Sequence, residues 1–196
     1  MADNPFRQAH YLISAHRLAQ LPPDGGAEIA FAGRSNAGKS SALNTICDQR
    51  SLARTSKTPG RTQQLVVFPL DEAHRLVDLP GYGYAKVPGE LRDHWRGLID
   101  QYLRTRSCLR GVVLIMDSRH PLKDFDRQML EYANAVGWHC HCLLTKADKL
   151  SRSEAVRTLA AVRKELVAPA TAQLFSSLNK EGVGEARALL RDWLGL

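Results

Sequence analysis

Apolar and polar positions fall into short blocks along this chain, and the repeat within each block separates strands from helices. Glu28-Ile29-Ala30-Phe31-Ala32 is a short apolar run that reads as a buried strand, and Ser41-Ala42-Leu43-Asn44-Thr45-Ile46-Cys47 after it reads as a helix. Gln64-Leu65-Val66-Val67-Phe68 and Arg75-Leu76-Val77 are separated by the polar turn Asp71-Glu72-Ala73-His74, so these two strands should pair antiparallel. A helix from about Glu90 to Arg106 places Leu91, Trp95, Leu98 and Tyr102 on one face, and Phe125, Met129, Tyr132 and Val136 repeat the spacing in the next helix. Both aromatic stripes read as core. Val112-Val113-Leu114-Ile115-Met116, His141-Cys142-Leu143-Leu144 and Gln173-Leu174-Phe175 read as further strands. Ser151-Arg152-Ser153-Glu154 is a capping box opening a third long helix, and Val183, Ala186, Leu190 and Trp193 mark a last one. Such alternation predicts an α/β fold, a mostly parallel sheet with helices on both faces.

At 196 residues and 44% hydrophobic content the chain can bury one sizeable core and is too short for two ordinary domains. It therefore reads as one domain over 1–196, with residues 26–196 as its core. Residues 1–25, leading into Leu21-Pro22-Pro23-Asp24-Gly25-Gly26, read as an N-terminal extension packed on the sheet.

The loops that follow the predicted strands carry the chemistry. Gly33-Arg34-Ser35-Asn36-Ala37-Gly38-Lys39-Ser40 lies between a strand and a helix, the context a phosphate-binding loop requires. In such a loop backbone N–H groups surround the phosphates, Lys39 reaches between the β- and γ-phosphates, and the Ser40 hydroxyl binds Mg²⁺, with Ser41 next to it. Asp78-Leu79-Pro80-Gly81 ends another strand, where Asp78 can hold Mg²⁺ through water and the Gly81 N–H can approach the γ-phosphate. Thr145-Lys146-Ala147-Asp148 ends a third, and the Asp148 carboxylate can accept from both N1–H and the exocyclic amine of guanine. Adenine offers neither donor in that arrangement. Ser176-Ser177-Leu178 ends a fourth, placed to close over the base with backbone amides near its O6. Each motif alone is weak; four in this order, each after a strand, point to GTP and GDP as ligands.

With these residues the chain resembles the translation-factor-class (Era-like) GTPases, and within them the EngB (YihA/YsxC) family of ribosome-biogenesis GTP-binding proteins. The most specific pieces are residues 28–36, Lys57-Thr58-Pro59-Gly60-Arg61-Thr62-Gln63 and Asp78-Leu79-Pro80-Gly81-Tyr82-Gly83-Tyr84-Ala85. The resemblance spans nearly the whole chain. It implies a three-layer P-loop GTPase fold, the G domain, with a mostly parallel six-stranded sheet and one antiparallel edge strand. It also implies that Gly60, Arg61 and Thr62 form the first switch, with Thr62 as second Mg²⁺ ligand. It further implies the large ribosomal subunit or its precursor as partner, and a link to cell division. Thr145 stands where many GTPases have Asn. It lacks the carboxamide that would donate to guanine N7, so selectivity should rest more heavily on Asp148; EngB-like proteins are similar in using Thr here.

Charge fits an RNA-containing partner: the chain carries a net +7, with a pI near 9.5. Arg50, Arg54, Lys57 and Arg61 crowd the first switch, while Arg92, Arg96, Arg104, Arg106 and Arg110 follow the second. For the first group phosphate-backbone contact gated by nucleotide is the sharper reading; for any single Arg a solvated face is the default. DNA is not an expected partner. No apolar stretch approaches membrane-spanning length and no signal peptide is visible, which predicts a cytoplasmic protein without a membrane partner. Cys47, Cys108, Cys140 and Cys142 lack disulfide-scaffold spacing and read as reduced core residues. In His139-Cys140-His141-Cys142, alternation puts the cysteines on one strand face and the histidines on the other, against a zinc site.

Hydrolysis is less well provided for. Tyr82 follows Gly81 where Ras-like enzymes hold the Gln that orients water, and no Arg announces itself as a built-in finger. Intrinsic turnover should be slow, on the order of 10⁻⁴ to 10⁻² s⁻¹. Asn36 has two readings: a ligand that holds K⁺ against the phosphates, as in some GTPases with a similar loop, or a side chain that bonds its own backbone. The expected catalytic set is Lys39, Thr62 and Gly81, with Asn36 as the K⁺ candidate. A GTP-hydrolysing switch on a pre-ribosomal particle and a nucleotide-gated binding module with incidental turnover both accommodate the motifs. A P-loop kinase or ATPase fits Asp148 poorly.

Overall fold

The computed structural model describes residues 4–53, 64–82 and 89–196, with 89–96 as backbone alone. Its strands are β1 (Ile13–Ala15), β2 (Ala27–Gly33), β3 (Leu65–Pro69), β4 (His74–Asp78), β5 (Leu109–Asp117), β6 (His139–Thr145) and β7 (Thr171–Leu174). Its α-helices are α1 (Lys39–Ile46), α2 (Gly89–Thr105), α3 (Asp124–Val136), α4 (Arg152–Glu165) and α5 (Val183–Leu194). The strands form a single sheet in the order β1-β3-β4-β2-β5-β6-β7. β2, β4, β5, β6 and β7 run parallel, and β3 pairs antiparallel with β4 through Val67 opposite Val77, as the polar turn predicts.

Here the strand count departs from expectation: seven strands, not six. The extra one comes from the N-terminal segment, which packs Phe6 and Ala9 into the core on one face and Leu18 and Leu21 against the other, and which also lengthens the sheet's edge. His10 N–H and Leu12 N–H donate to the carbonyls of Pro69 and Val67 at 3.2 and 3.0 Å, and Ile13 to Ala15 continue the pairing antiparallel to β3. Three residues cannot display an alternation, so composition alone could not mark this strand. Phe6, ahead of it, is fully buried.

β2 is buried at every position because helices cover both faces of the central sheet. One face packs Ile29, Phe31, Val113 and Leu143 against Leu43 and Ile46 of α1 and Ala186 and Leu190 of α5. The other packs Ala30, Val77, Val112, Leu114, Cys140 and Cys142 against Leu98 and Tyr102 of α2, Ala133 of α3 and Val162 of α4. His141 faces away from the two cysteines, as alternation requires, and hydrogen-bonds Thr171 and Gln173. The α3 stripe is less buried than its spacing suggests: Phe125, Met129 and Tyr132 line a surface groove beside α2, and Val136 is 48% exposed. The side chains of Leu91 and Trp95 lie outside the described residues. Capping behaves as the sequence indicates, with Ser151 and Glu154 bonding reciprocally at the start of α4.

At the end of the sheet away from the strand-to-helix loops, Glu28 is 1% exposed yet accepts from Arg75 Nε at 2.9 Å, Tyr102 OH at 3.0 Å and both Nε and a terminal nitrogen of Arg106, at 3.0 and 2.6 Å. This corrects the reading of Arg106 as surface charge. Its guanidinium is committed to a buried carboxylate and to the Pro22 carbonyl, and so anchors the incoming segment.

Candidate functional site

The strand-to-helix loop is shaped by two glycines. Gly33 ends β2 beside β5, where a Cβ would come within 2.8 Å of the Ile115 carbonyl oxygen. Gly38 has φ +97°, a left-handed conformation that glycine adopts without strain, and it turns the chain into α1. Asn36 is also left-handed, at φ +62°. Lys39 opens α1 with its ammonium paired to the Asp78 carboxylate at the end of β4, and both side chains are about nine-tenths buried. Burial pushes the Asp78 carboxyl up, while the Lys39 charge and hydrogen bond pull it back. Two of the four predicted loops are thereby joined by their most chemically specific residues.

The base-recognition segment is tied to the same loop. Thr145 Oγ1 reaches the Ala37 carbonyl and lies 3.0 Å from the Met116 carbonyl, in a fully buried position. Lys146, left-handed at φ +58°, donates from Nζ to the Asn36 carbonyl at 2.8 Å and to Asp117 Oδ2 at 2.9 Å. Asp117 also receives Arg119 through Nε and a terminal nitrogen at 3.0 and 2.7 Å. Burial works against the Asp117 charge, but these cations hold its carboxyl well below the usual range.

Asp148 follows in a short 3₁₀ turn, Ala147–Lys149. Ser176 Oγ donates to Asp148 Oδ1 at 2.6 Å, and this bond is the main cause holding its carboxyl low. Lys149 Nζ lies 3.6 Å from the other oxygen. Ser176 is itself buried and accepts from the Leu178 N–H at 3.2 Å, so that amide serves the loop's own turn in this arrangement. Leu178 projects outward, 75% exposed, beyond the half-buried Ser177. Phe175 bridges β6 and the base motif, donating to the Leu144 carbonyl at 2.9 Å and accepting from Ala147 N–H at 3.2 Å.

The segment after Asp78 continues along the phosphate loop. Tyr82 N–H donates to the Gly33 carbonyl at 3.3 Å, and Ser35 N–H donates to the Tyr82 carbonyl at 2.9 Å. The Tyr82 hydroxyl donates to Asp126 Oδ1 at 2.9 Å, and its ring lies 5.5 Å from that of Phe125. Burial drives the phenol far above its ordinary pKa. Gly33 to Ser41, Asp78 to Gly81, Thr145 to Asp148 and Ser176 to Leu178 therefore all sit at the ends of neighbouring strands on one rim of the sheet. Gly60, Arg61 and Thr62, with Arg54 and Lys57, lie outside the described residues, as do Gly83 to Ala85 and the side chains of Arg92 and Arg96. Arg50 and Arg110 are exposed, and Arg104 is exposed and paired with Asp100 at 2.8 Å.

A carboxylate and hydroxyls are hard oxygen donors suited to Mg²⁺, and Asp78 and Ser40 supply one of each beside Lys39. Among the described residues no group of three or more His, Cys, Asp or Glu is placed to hold a metal, and no helix is long and apolar enough to cross a membrane. Asp117 and Asp126 were not read from sequence. Asp117 had a signal, since it ends a strand of the same sheet; Asp126 had none, because its partner Tyr82 is 44 residues away.

Comparisons with known proteins identify relatives of this chain. A family model described as "50S ribosome-binding GTPase" matches residues 28–146. The chain is 60% identical to the "Probable GTP-binding protein EngB" of Stenotrophomonas maltophilia over 97% of this chain and 98% of the relative. It is 58% identical to the protein of the same description from Xanthomonas euvesicatoria, over 97% and 94%. Among solved structures, a probable GTP-binding protein engB matches with a TM-score of 0.71 at 18% identity, covering 86% of this chain and 99% of that one. Elongation factor SelB from Methanococcus maripaludis, in complex with the GTP analogue GppNHp, shares the fold at TM-score 0.59 and 15% identity, over 89% and 35%.

Proposed function

This chain belongs to the EngB family of GTP-binding proteins, within the 50S ribosome-binding GTPases, and we propose that it is a slowly hydrolysing GTP switch that acts on the large ribosomal subunit or its precursor during assembly. The observation that carries the reading is convergence: the ends of β2, β4, β6 and β7 bring Lys39, Asp78, Thr145 to Asp148 and Ser176 onto one rim, joined by the Lys39–Asp78, Thr145–Ala37 and Asp148–Ser176 contacts.

In this reading GTP exchanges the Lys39–Asp78 pair for phosphate and metal contacts. The Lys39 ammonium moves to the β- and γ-phosphates, and the backbone amides of the loop from Gly33 to Ser40 close around them. Ser40 and Thr62, with Asp78 through water, would hold Mg²⁺, which would supply charge neutralisation on the phosphates. Gly81 N–H meets the γ-phosphate, Asp148 accepts from guanine, and Ser176, by occupying one Asp148 oxygen, fixes the carboxylate's orientation. Asn36 is the candidate K⁺ ligand beside the phosphates.

Turnover is slow in this reading because Tyr82, the residue after Gly81, has no carboxamide with which to orient water as a Gln does. That observation also favours a second reading, a nucleotide-gated ribosome-binding module in which hydrolysis is incidental. Adding purified large subunits to a turnover assay separates the two. A large rise over the intrinsic rate supports the switch; nucleotide-dependent association with no rise supports the module; association indifferent to GTP analogue or GDP overturns both.

A further inference from the structure

Asp126 lies outside every motif read as nucleotide-binding, yet it is 1% exposed and holds Tyr82, the residue after Gly81. Its two carboxylate oxygens do different work. Oδ2 accepts the Lys123 N–H at 2.9 Å and so fixes the carboxylate to the first turn of α3, while Oδ1 accepts the Tyr82 hydroxyl at 2.9 Å. The main chain of Tyr82 is bonded on both sides to the phosphate loop, at Gly33 and Ser35. At the other end of the segment, Leu79 N–H donates to the Phe31 carbonyl at 2.9 Å, and its side chain is 1% exposed. Pro80 and Gly81 are thus a two-residue span pinned at both ends, and proline's φ is locked. The Gly81 N–H can turn toward a γ-phosphate only if one end lets go. Leu79 packs wholly in the apolar core, whereas the Tyr82 hydroxyl ends on Asp126 at the wall of a polar cavity, so the end that releases is Tyr82.

We propose that Asp126 is a positioning residue of the switch: by holding the Tyr82 hydroxyl it keeps the segment after Asp78 seated on the phosphate loop and α3, and this latch must open before Gly81 can engage the γ-phosphate. The latch opposes GTP and leaves GDP binding untouched. Arg34 makes the release feasible. It lines, with Asp126, Asp117, Arg119 and Lys146, a polar cavity of about 220 Å³; burial pushes the Asp126 carboxyl up, and the Arg34 charge is among the groups that pull it back. Losing the Tyr82 hydroxyl therefore does not strand a lone charge in an apolar interior, the outcome that makes broken buried pairs costly.

The inference rests on the GTP-switch reading, and binding of GDP and a non-hydrolysable GTP analogue tests it directly. Tyr82→Phe keeps the ring against Phe125 and the main-chain bonds while deleting the donor. Its GDP affinity should stay within about twofold of wild type, and its affinity for the analogue should rise on the order of tenfold, the lower end of what a hydrogen bond to a charged group contributes. Asp126→Ala should shift the analogue-to-GDP ratio in the same direction, and Asp126→Asn, which keeps one acceptor for Lys123 N–H, should give an intermediate shift. In the double variant Tyr82→Phe should add nothing, because the partner is already gone. Should Asp126→Ala not fold, the same cycle runs with Asp126→Asn. A role confined to capping α3 would lower thermal stability and leave the ratio unchanged. An unchanged or reduced ratio in Tyr82→Phe, or additive effects in the double variant, overturns the latch; a wild-type protein that binds neither nucleotide overturns the switch reading as well.

Discussion

The Thr145 hydroxyl bonds the Ala37 carbonyl, so the first residue of the base-recognition motif holds the phosphate loop. The same oxygen lies 3.0 Å from the Met116 carbonyl, which places Thr145 as a rivet between β5, β6 and the loop. Thr145→Val keeps the shape and removes the donor, leaving a buried carbonyl unmatched at a cost of about 1–3 kcal/mol. Nucleotide affinity should fall roughly tenfold while preference for GDP over ADP persists. Titration calorimetry with both nucleotides checks this; a loss of base preference would mean that Thr145 reads guanine directly.

Lys39→Ala and Ser40→Ala should both weaken Mg²⁺-nucleotide binding, since charge-assisted contacts are worth ~1.5–3 kcal/mol, or roughly 10- to 100-fold in affinity. Lys39→Ala has a second effect. It leaves Asp78, which is 6% exposed, without its cation, so the variant should also be less stable without nucleotide. Adding Asp78→Asn to Lys39→Ala should recover much of that stability and none of the affinity. If the double variant melts no higher than Lys39→Ala, the pair is not what stabilises the loop.

These two contacts show where sequence stops being informative. Each residue expected to meet phosphate, metal or base could be named because its motif is local, a few residues long, and the parallel sheet gathers those among the described residues at strand ends on one rim. The links between motifs span 39 residues from Lys39 to Asp78 and 108 from Thr145 to Ala37, and no local pattern encodes them. Strand β1 was missed because three residues are too few to alternate. Arg106 was misread because a surface arginine and one bound to buried Glu28 look the same in a sequence.

Glu28 should be structural and remote from nucleotide. It is the second residue of β2, five residues before Gly33, which at about 3.3 Å per residue is roughly 17 Å from the start of the phosphate loop. Glu28→Ala leaves Arg75 in the interior without a carboxylate and Arg106 with only Asp24, 4.0 Å away, which should cost about 3–5 kcal/mol. Urea denaturation measures the loss. GDP affinity at a temperature where the variant is folded should match wild type, and a tenfold change would tie this cluster to the site.

His141 predicts a pH dependence. It is 4% exposed, and burial lowers its pKa below the ordinary 6.5. Gln173 donates its amide to the Gly182 and Leu174 carbonyls, so its oxygen faces the ring and His141 Nε2 must carry the proton while Nδ1 accepts from Thr171. That is a neutral imidazole. The unfolded chain takes up a proton near 6.5 before the folded one does, so this contribution to stability is complete above 6.5 and is lost as pH falls from there toward the lower folded value. Thermal unfolding between pH 8 and pH 5 should show the loss, and His141→Gln should flatten it. Parallel slopes for variant and wild type would place the sensitivity elsewhere.

Base selectivity provides the sharpest test of the site. Asp148 has one oxygen bonded by Ser176 and should present its remaining capacity to the N1–H and exocyclic amine of guanine. Asp148→Asn replaces an acceptor by a donor. The new amide can donate to the C2 carbonyl of xanthine, where guanine carries its amine, while the side-chain carbonyl still accepts from a ring N–H. Thr145 cannot compensate, because its hydroxyl is committed to Ala37 and it offers no donor to N7. A mismatched buried polar pair costs several kcal/mol, so GTP affinity should fall by at least roughly 100-fold while XTP gains. Ser176→Ala should act more mildly, lowering affinity for GTP without inviting XTP, because it loosens the carboxylate without changing its hydrogen-bond character. Competition between the two nucleotides against a labelled guanine nucleotide decides it: if Asp148→Asn keeps the wild-type preference for GTP over XTP, this carboxylate does not read the base.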